Sequence, residues 1–500
     1  MNKLFPVKRV LSVEDLKDAR SGVLSDIGND LQQKYSDIFP LLALLHYRWV
    51  AENGPYENYL SRVFAFDSLI GRKALKACLG RLAAPVLWSF ARLRYLRRDK
   101  GSVRIVFANS FLKSRRYPLV RASVEEKYGC TAILTLWDTL ESSSGNTLQA
   151  MLQSLRSDYG HNRPIFLFSC TLAGKPLQQS IINFSNYLYR DKKKDPQQLD
   201  RLLADLRQTY LERKQWLSDR LKAECIRTFI TVNQYNLRDL LLIDTLDGLG
   251  VQTVQHEHHA IQFSRINFDP THPISRLSFA QEYSVFDPGE LEFHKLVFSY
   301  DNVLHPEKPP IFHISGNTEL TWEFACRAAE MYPVERKVTY MVSSLADNDL
   351  GTADQIAAIN KWRMAIFEQL HLLKERTGVE VVVRYTPYDE MELRAVEVPV
   401  LERWGIKVSS SLPENLWEDM CTAGIIISTT STVLSTALSL GKTVYRVEDP
   451  GMDYLRVNSE ITDIAVEEIS MIPIPDKMVD KPLSRDCFFD IERIIRNEKS

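Results

Sequence analysis

The sequence predicts an α/β protein of two doubly wound parallel sheets facing a cleft, with a helical region ahead of them. Three observations predict it. From Ser102 onward, short apolar runs of strand length alternate with helical stretches, the pattern of parallel βαβ units. A second and cleaner series of the same kind begins near Arg336. The 500 residues also exceed what one core accommodates, since single cores stop growing at roughly 250–300 residues.

Taken in order, residues 1–100 read as helices, with Ser12 and Asp15 forming a capping box ahead of Leu16. Strands follow at Val103–Ala108, Thr131–Leu136 and Ile165–Phe168, separated by helical stretches at about 115–127 and 146–156. A long charged helical insertion occupies about 185–225. Alternation resumes with strand Arg227–Val232, helix Leu237–Leu249 and strand Val251–Gln255, then short strands at Glu282–Phe286 and Phe312–Ile314. The second series gives strands at Val338–Val342, Val379–Arg384, Ile406–Val408, Ile425–Ser428 and Thr443–Val447. Its helices are Ala353–Arg376, Glu392–Trp404, Asn415–Thr422 and Val433–Leu440. The expected partition is a helical region 1–100, a first Rossmann-like domain 101–315, a second 316–462, and a tail 463–500 with a helix near Asp490–Asn497.

Composition excludes several classes. Lys+Arg 62 against Asp+Glu 64 gives a net charge of −2, so no nucleic-acid partner is expected, because such domains are usually strongly basic. Seven cysteines, with no C-x-x-C among them, read as reduced thiols in a cytosol. The amino-terminal residues lack the apolar core of a secretory signal, and no run reaches the ~18 apolar residues of a membrane span. The expectation is a cytoplasmic protein.

Chemistry concentrates at strand ends, where open α/β sheets bind ligands. Ile425–Ser428 runs into five consecutive hydroxyl residues, Ser428, Thr429, Thr430, Ser431 and Thr432, and a helix starts at once. Such a turn caps its helix and offers backbone N–H groups to an anion; an ordinary capped turn is the competing reading. Val381–Arg384 delivers Arg384 to a strand end, followed by Thr386 and Pro387. That guanidinium suits a phosphate or, alternatively, a neighbouring carboxylate such as Asp389. Ser343 and Ser344 follow the first strand of the second series. In the first series, VQHEHH, with His256 and Glu257, comes directly after the strand Val251–Gln255, and seven of the ten histidines fall between His256 and His313. Either residue type serves as a general base. A metal at His256, His258 and His259 lacks a further ligand at a recognised spacing, and a solvated loop is the remaining alternative. Asn109 and Ser110 follow the first strand, Trp137 and Asp138 the second.

Residues 72–100 carry nine basic residues against Asp99 alone, with Leu75, Leu79, Leu82, Val86, Phe90 and Leu93 at helical spacing. This is either a basic amphipathic helix lying on an anionic membrane surface or a helix packed on its own domain with Arg stems along apolar surface.

These motifs resemble those of GT-B glycosyltransferases, most nearly the sialyl-, Kdo- and glycerophosphate-transferase-like enzymes of bacterial capsule and surface polysaccharide synthesis. In those families a strand ends in Arg-x-His-Pro, a serine-rich turn follows a later strand, and a small-residue helix leads to Gly-Lys-x-Val. Arg384-Tyr385-Thr386-Pro387, Ser428–Thr432, Thr436-Ala437 and Gly441-Lys442-Thr443-Val444 occupy those places. Gln255-His256-Glu257 stands where the family has Gln-His-Gly. Thr386 and Glu257 depart from the pattern. The resemblance implies transfer of a sugar from a nucleotide-sugar donor to a glycan or lipid-linked acceptor, without a metal or other cofactor. It assigns Ser343, Ser344, Arg384, Thr386 and Ser428–Thr432 to the nucleotide, Asn109, Ser110, Trp137 and Asp138 to the acceptor, and His256 or Glu257 to proton abstraction. Arg384→Ala is then expected to abolish donor binding with the fold intact. Transfer of a polyol phosphate, or a degenerate scaffold without activity, are the alternatives. A lipid-linked acceptor would place the protein on the inner face of the cytoplasmic membrane, through residues 72–100.

Overall fold

The computed structural model describes residues 34–51, 104–108, 130–135, 165–167, 174–189, 195–231, 237–256, 279–286, 311–317, 320–342, 353–385, 391–409, 415–429, 433–448 and 460–495, with positions 89, 93, 288 and 291. They form two parallel sheets with helices, the two Rossmann-like units expected.

The first sheet contains β1 (Arg104–Phe107), β2 (Cys130–Thr135), β3 (Ile165–Leu167), β4 (Ile226–Thr231), β5 (Gln252–His256), β6 (Glu282–Val285) and β7 (Ile311–Ile314), in the spatial order 3-2-1-4-5-6-7. Helix α1 (Phe39–Ala51) belongs to the amino-terminal region, and Leu41, Leu42, Leu44 and Leu45 bury into the first core. The charged insertion expected at about 185–225 falls on two helices, α2 (Gly174–Tyr189), which starts before it, and α3 (Pro196–Leu221). Asp195 caps α3 by accepting from the Gln197 N–H at 3.0 Å, and Pro196 takes the first helical position, where no N–H is needed. Leu203, Leu206, Tyr210, Leu217 and Leu221 recur at helical spacing and are buried. The exposed charges that drew attention in the sequence are the other face of that helix. Helix α4 (Leu237–Gly248) follows β4 and joins α3 through Asp244, which accepts from the Tyr210 hydroxyl and pairs with Lys214, both at 2.7 Å. Burial, first, and the Asp244 charge beside it push the Tyr210 phenol well above its ordinary value.

The second sheet is β8 (Lys337–Met341), β9 (Glu380–Arg384), β10 (Lys407–Ser409), β11 (Ile425–Ser428), β12 (Thr443–Val447) and β13 (Ile461–Ile464), in the order 10-9-8-11-12-13. Helices α5 (Trp322–Met331), α6 (Ala353–Thr377), α7 (Met391–Arg403), α8 (Asn415–Thr422) and α9 (Val433–Ser439) complete it. Side chains alternate across it. Val338, Tyr340, Val381 and Val383 face the core under α6 and α7, whereas Met341, Ile426 and Val444 face the core shared with α5, α8 and α9. Strands buried on both faces tend to read as apolar runs, and the runs Val381–Val383 and Ile425–Ile427 are what make β9 and β11 legible in the sequence.

β13 was not expected. Its four residues, ITDI, include two polar ones, and its register is held by Arg446, which makes two hydrogen bonds to Asp463 across the pair at 2.6 and 2.9 Å. The boundary expected after residue 462 falls inside this strand. The carboxyl-terminal helix expected near Asp490–Asn497 is instead a three-residue 3-10 turn, Ile491–Arg493, capped by Asp490. The helices expected at about 115–127 and 146–156, the capping box at Ser12, and nearly all of segment 72–100 lie outside the described residues.

The tail crosses both sheets. Lys481 N–H donates to Gly441 O at 2.8 Å, and Lys442 Nζ binds Asp480 at 2.6 Å. The chain then reaches the first sheet. Asn317 and Phe488 form a parallel bridge, Asp490 N–H donates to Ser315 O at 2.8 Å, and Gln252 Nε2 donates to Ile494 O at 2.8 Å. A Cβ on Gly316, Gly424 or Gly441 would overlap Phe488, Met478 or Lys481 respectively. Only glycine lets the tail lie this close. Asn317 also donates from Nδ2 to Thr436 Oγ1 at 3.3 Å on α9, so the linker is hooked to the second unit.

Candidate functional site

In an open α/β sheet the strand order reverses at one point, and helices on opposite faces leave a crevice beyond the strand ends there. In the second sheet that point lies between β8 and β11. Met341 and Val342 end one side and Ser428 and Thr429 the other, all buried. Ser428 Oγ donates to Met341 O at 2.6 Å, buttoning the two strands together at the switch. Ser343, Ser344, Thr430, Ser431 and Thr432 continue these two strand ends in the chain but lie outside the described residues, as do Thr386, Glu257, Asn109, Ser110, Trp137 and Asp138.

Arg384 ends β9, next to β8, and is 5% exposed. Its Nη1 donates to Asp419 Oδ2 of α8 at 2.8 Å, and the same carboxylate oxygen accepts from Ser409 Oγ at the end of β10. Of the two readings of Arg384, the structure supplies a carboxylate partner, and it is Asp419 rather than a neighbour in sequence. Against the expectation that Arg384→Ala leaves the fold intact, this pair predicts a cost in stability, because the substitution strands a buried carboxylate. Beside it, Tyr385 and Arg363 both donate to Glu397 at 2.8 Å, and the Arg394 guanidinium lies 4.9 Å from the Tyr385 ring centre. These groups hold α6 and α7 against the end of β9.

In the first sheet His256 is the last residue of β5 and is fully buried. Its Nδ1 lies 2.9 Å from Ser284 Oγ of β6, and its ring packs against Phe286 at 5.3 Å and edge-on to Phe489 of the tail at 5.9 Å. At the start of β5, Gln252 binds Thr228 at 2.9 Å and Glu282 at 2.7 Å, and Glu282 binds His313 Nε2 at 2.5 Å. All five residues of β5 are buried, and its polar side chains on this face are satisfied by this seam and by the tail. The solvated-loop reading therefore fails for His256. His258 and His259, the other two members of the metal reading, lie outside the described residues.

Several residues of these edges were not singled out from the sequence. Arg238 and Asp239 open α4 just beyond β4, 9% and 0% exposed, and pair at 3.2 Å. A charged pair inside the apolar run LRDLLLI is the signal that could have found them. Asp419 carried no signal, since it stands 35 residues from Arg384. Gly441-Lys442 has a structural explanation: Lys442 Nζ, buried, donates to Cys421 O at 2.5 Å and to Asp480. Burial, opposed by Lys442, raises the Asp480 carboxyl.

Burial also pushes the Cys421 thiol from its ordinary 9.0 up to about 11. The folded protein keeps that proton to higher pH than the unfolded chain does, so the contribution is complete below pH 9.0 and lost as the pH rises to about 11. Stability measured by denaturant over that interval should fall with a shallower slope in Cys421→Ala. Alkylation of the native protein should modify exposed Cys225 and spare Cys421 until unfolding.

Among the described residues no group of three or more His, Cys, Asp or Glu is gathered as a metal site, and no helix is long and apolar enough to cross a membrane. No family model and no curated protein sequence matches the chain. Solved structures do. UDP-GlcNAc 2-epimerase from Methanocaldococcus jannaschii is 12% identical with TM-score 0.39, over 78% of this chain and 96% of that one. Medicago truncatula UGT71G1 complexed with UDP-glucose is 10% identical with TM-score 0.38, over 77% and 91%. Acinetobacter baumannii MurG is 10% identical with TM-score 0.36, over 74% and 89%.

Proposed function

We propose that the protein transfers a sugar from a nucleotide-activated donor to a hydroxyl of a glycan or lipid-linked acceptor. The observation that carries this reading is the topology of the second sheet, whose order reverses between β8 and β11. The strand ends there run into Ser343-Ser344 and into the hydroxyl series Ser428–Thr432. Backbone N–H groups and hydroxyls preorganised around a crevice are what a leaving nucleotide phosphate requires as charge develops on it. Thr386, two residues beyond Arg384, completes the nucleotide side, and the end of β9 is held in place by the Arg384–Asp419 pair.

The acceptor side is assigned to the first sheet, with Asn109, Ser110, Trp137 and Asp138 beyond β1 and β2. His256 takes the acceptor hydroxyl's proton, with Glu257 as the alternative base. The acceptor oxygen forms its bond to the anomeric carbon as that carbon's bond to the phosphate oxygen breaks. The electron pair leaves with the nucleotide. Residues 72–100 are assigned to an anionic membrane surface where a lipid-linked acceptor resides.

Thermal-shift measurements with UDP-, CMP-, GDP- and CDP-sugars test the reading. A donor at 100 times its Kd should stabilise the protein by about 2.7 kcal/mol. The absence of a shift with every donor would overturn it in favour of a scaffold without activity.

A further inference from the structure

Strand β5 carries two glutamines on opposite faces, and their surroundings differ. Gln252 is saturated: its Nε2 donates to Glu282 Oε2 at 2.7 Å and to Ile494 O at 2.8 Å, and its Oε1 accepts from the Thr228 hydroxyl at 2.9 Å. Gln255 is also buried, at 2% exposed, yet its Oε1 has no hydrogen-bond partner among the described residues. A buried amide oxygen without a donor costs stability, and folded proteins keep few of them.

The place of this oxygen in the fold points to its use. Gln255 stands in register with Thr231, the last residue of β4, and with Tyr283 of β6. Side chains alternate across a strand, so Gln255 and Thr231 share the face of Phe229, whose core also holds Leu237, Leu240 and Leu241 of α4. Helix α4 begins shortly beyond β4, so its buried first turn, Leu237, Arg238 and Asp239, stands at the same end of the sheet as Gln255. This is the carboxyl end, where open α/β sheets bind ligands. β4 is also one side of the point where the order of the first sheet reverses, between β1 and β4.

The atom selects the chemistry of its partner. A carbonyl oxygen only accepts, so the partner must bring a hydrogen. The charges at this end are already matched, because Arg238 Nε and Asp239 Oδ1 pair at 3.2 Å. A neutral O–H suits such a place better than a phosphate or a carboxylate, which brings only acceptors.

We propose that Gln255 binds a hydroxyl of a carbohydrate, its amide oxygen accepting the hydrogen bond that the free protein leaves unmade. On the transfer reading above, that carbohydrate is the acceptor, and Gln255 selects it. A sugar lacking the hydroxyl leaves the oxygen unpaired and is rejected for that reason.

Two measurements on the full chain test this. The first compares denaturant midpoints of wild type, Gln255→Met and Gln252→Met. Gln255→Met should be at least as stable as wild type, because no bond is lost, whereas Gln252→Met loses three and should be less stable. A Gln255→Met midpoint below wild type, or failure of that variant to fold, overturns the proposal: the amide would then be bonded within the protein. The second is saturation-transfer NMR with the methyl glycosides of glucose, galactose, N-acetylglucosamine and N-acetylmannosamine. At least one should bind wild type, and Gln255→Met should bind it about tenfold more weakly, the loss of one hydrogen bond. Binding of none of these sugars, or equal binding by both proteins, also overturns it. Neither readout uses a nucleotide donor, so the two ideas separate. Sugar binding that weakens in Gln255→Met, with no thermal shift from any donor, sinks the transfer reading alone. A donor shift with sugar binding indifferent to Gln255 sinks the Gln255 role alone.

Discussion

Arg384→Ala should destabilise the second domain by about 3–5 kcal/mol, the cost of removing one partner of a buried ion pair. Asp419 would remain, largely buried, with Ser409 as a donor and the Lys337 charge acting on it, but without its ion-pair partner. A nucleotide-binding assay on this variant alone would read the loss of fold as the loss of a site. Two further variants separate them. Arg384→Met combined with Asp419→Leu removes both charges and should recover most of the stability, because apolar replacements of a buried pair are often neutral or better. Arg384→Lys keeps the charge but not the planar fork. Denaturant midpoints of the three variants, compared with wild type, check the claim. Equal stability of wild type and Arg384→Ala would show that the pair does not hold α8 to β9.

The second large effect is at the junction of the two sheets. Gly316→Ala should cost roughly 3 kcal/mol, combining overpacking against backbone with a left-handed conformation, a drop of about 5–10 °C in the thermal midpoint. Gly316 has φ +85, and an added Cβ would meet the Phe488 carbonyl, which is main chain and cannot rotate away. Gly378 is the internal control. Its φ is +66 but nothing lies within 4 Å of its Cβ position, so Gly378→Ala isolates the conformational part. Gly248 has open space and no positive φ, and Gly248→Ala should be neutral or slightly stabilising. A Gly316→Ala effect no larger than that of Gly378→Ala would mean that the tail yields at Phe488.

The parts of this molecule that were legible in the sequence are those whose cause is local. Ile425–Ser428 opens with an apolar run of strand length, and Asn415–Thr422 has the helical period; the structure places both where those patterns do. β13 was not legible because ITDI is neither apolar nor long, and it depends on an Arg446–Asp463 pairing 17 residues apart. The candidate site divides in the same way. The strand-end position of Arg384 could be read directly, and His256, expected just after its strand, is the strand's last residue. The partners of His256 and Arg384 could not, because Ser284, Asp419 and Phe489 reach them through the fold. Lys442 looked like part of a ligand motif because its local sequence resembles one; its anchoring of Asp480 depends on where the tail returns.

That return has a consequence for how the chain is made. Gln252 and the backbone of Ile494 are 242 positions apart, and the polar strand QTVQH relies on residues 488–494 to cover and pair it. At 5–20 residues per second, roughly 10–50 s of synthesis separate the emergence of that strand from the emergence of its cover. During this interval the first sheet presents unpaired polar groups and an open flank at β5–β7 while the second sheet is still being translated. The first domain is thus finished last, by the final stretch of the second half. A ribosome that stalls late in the message would release a product whose first half lacks its closing segment, which makes such fragments natural targets for chaperones and proteases.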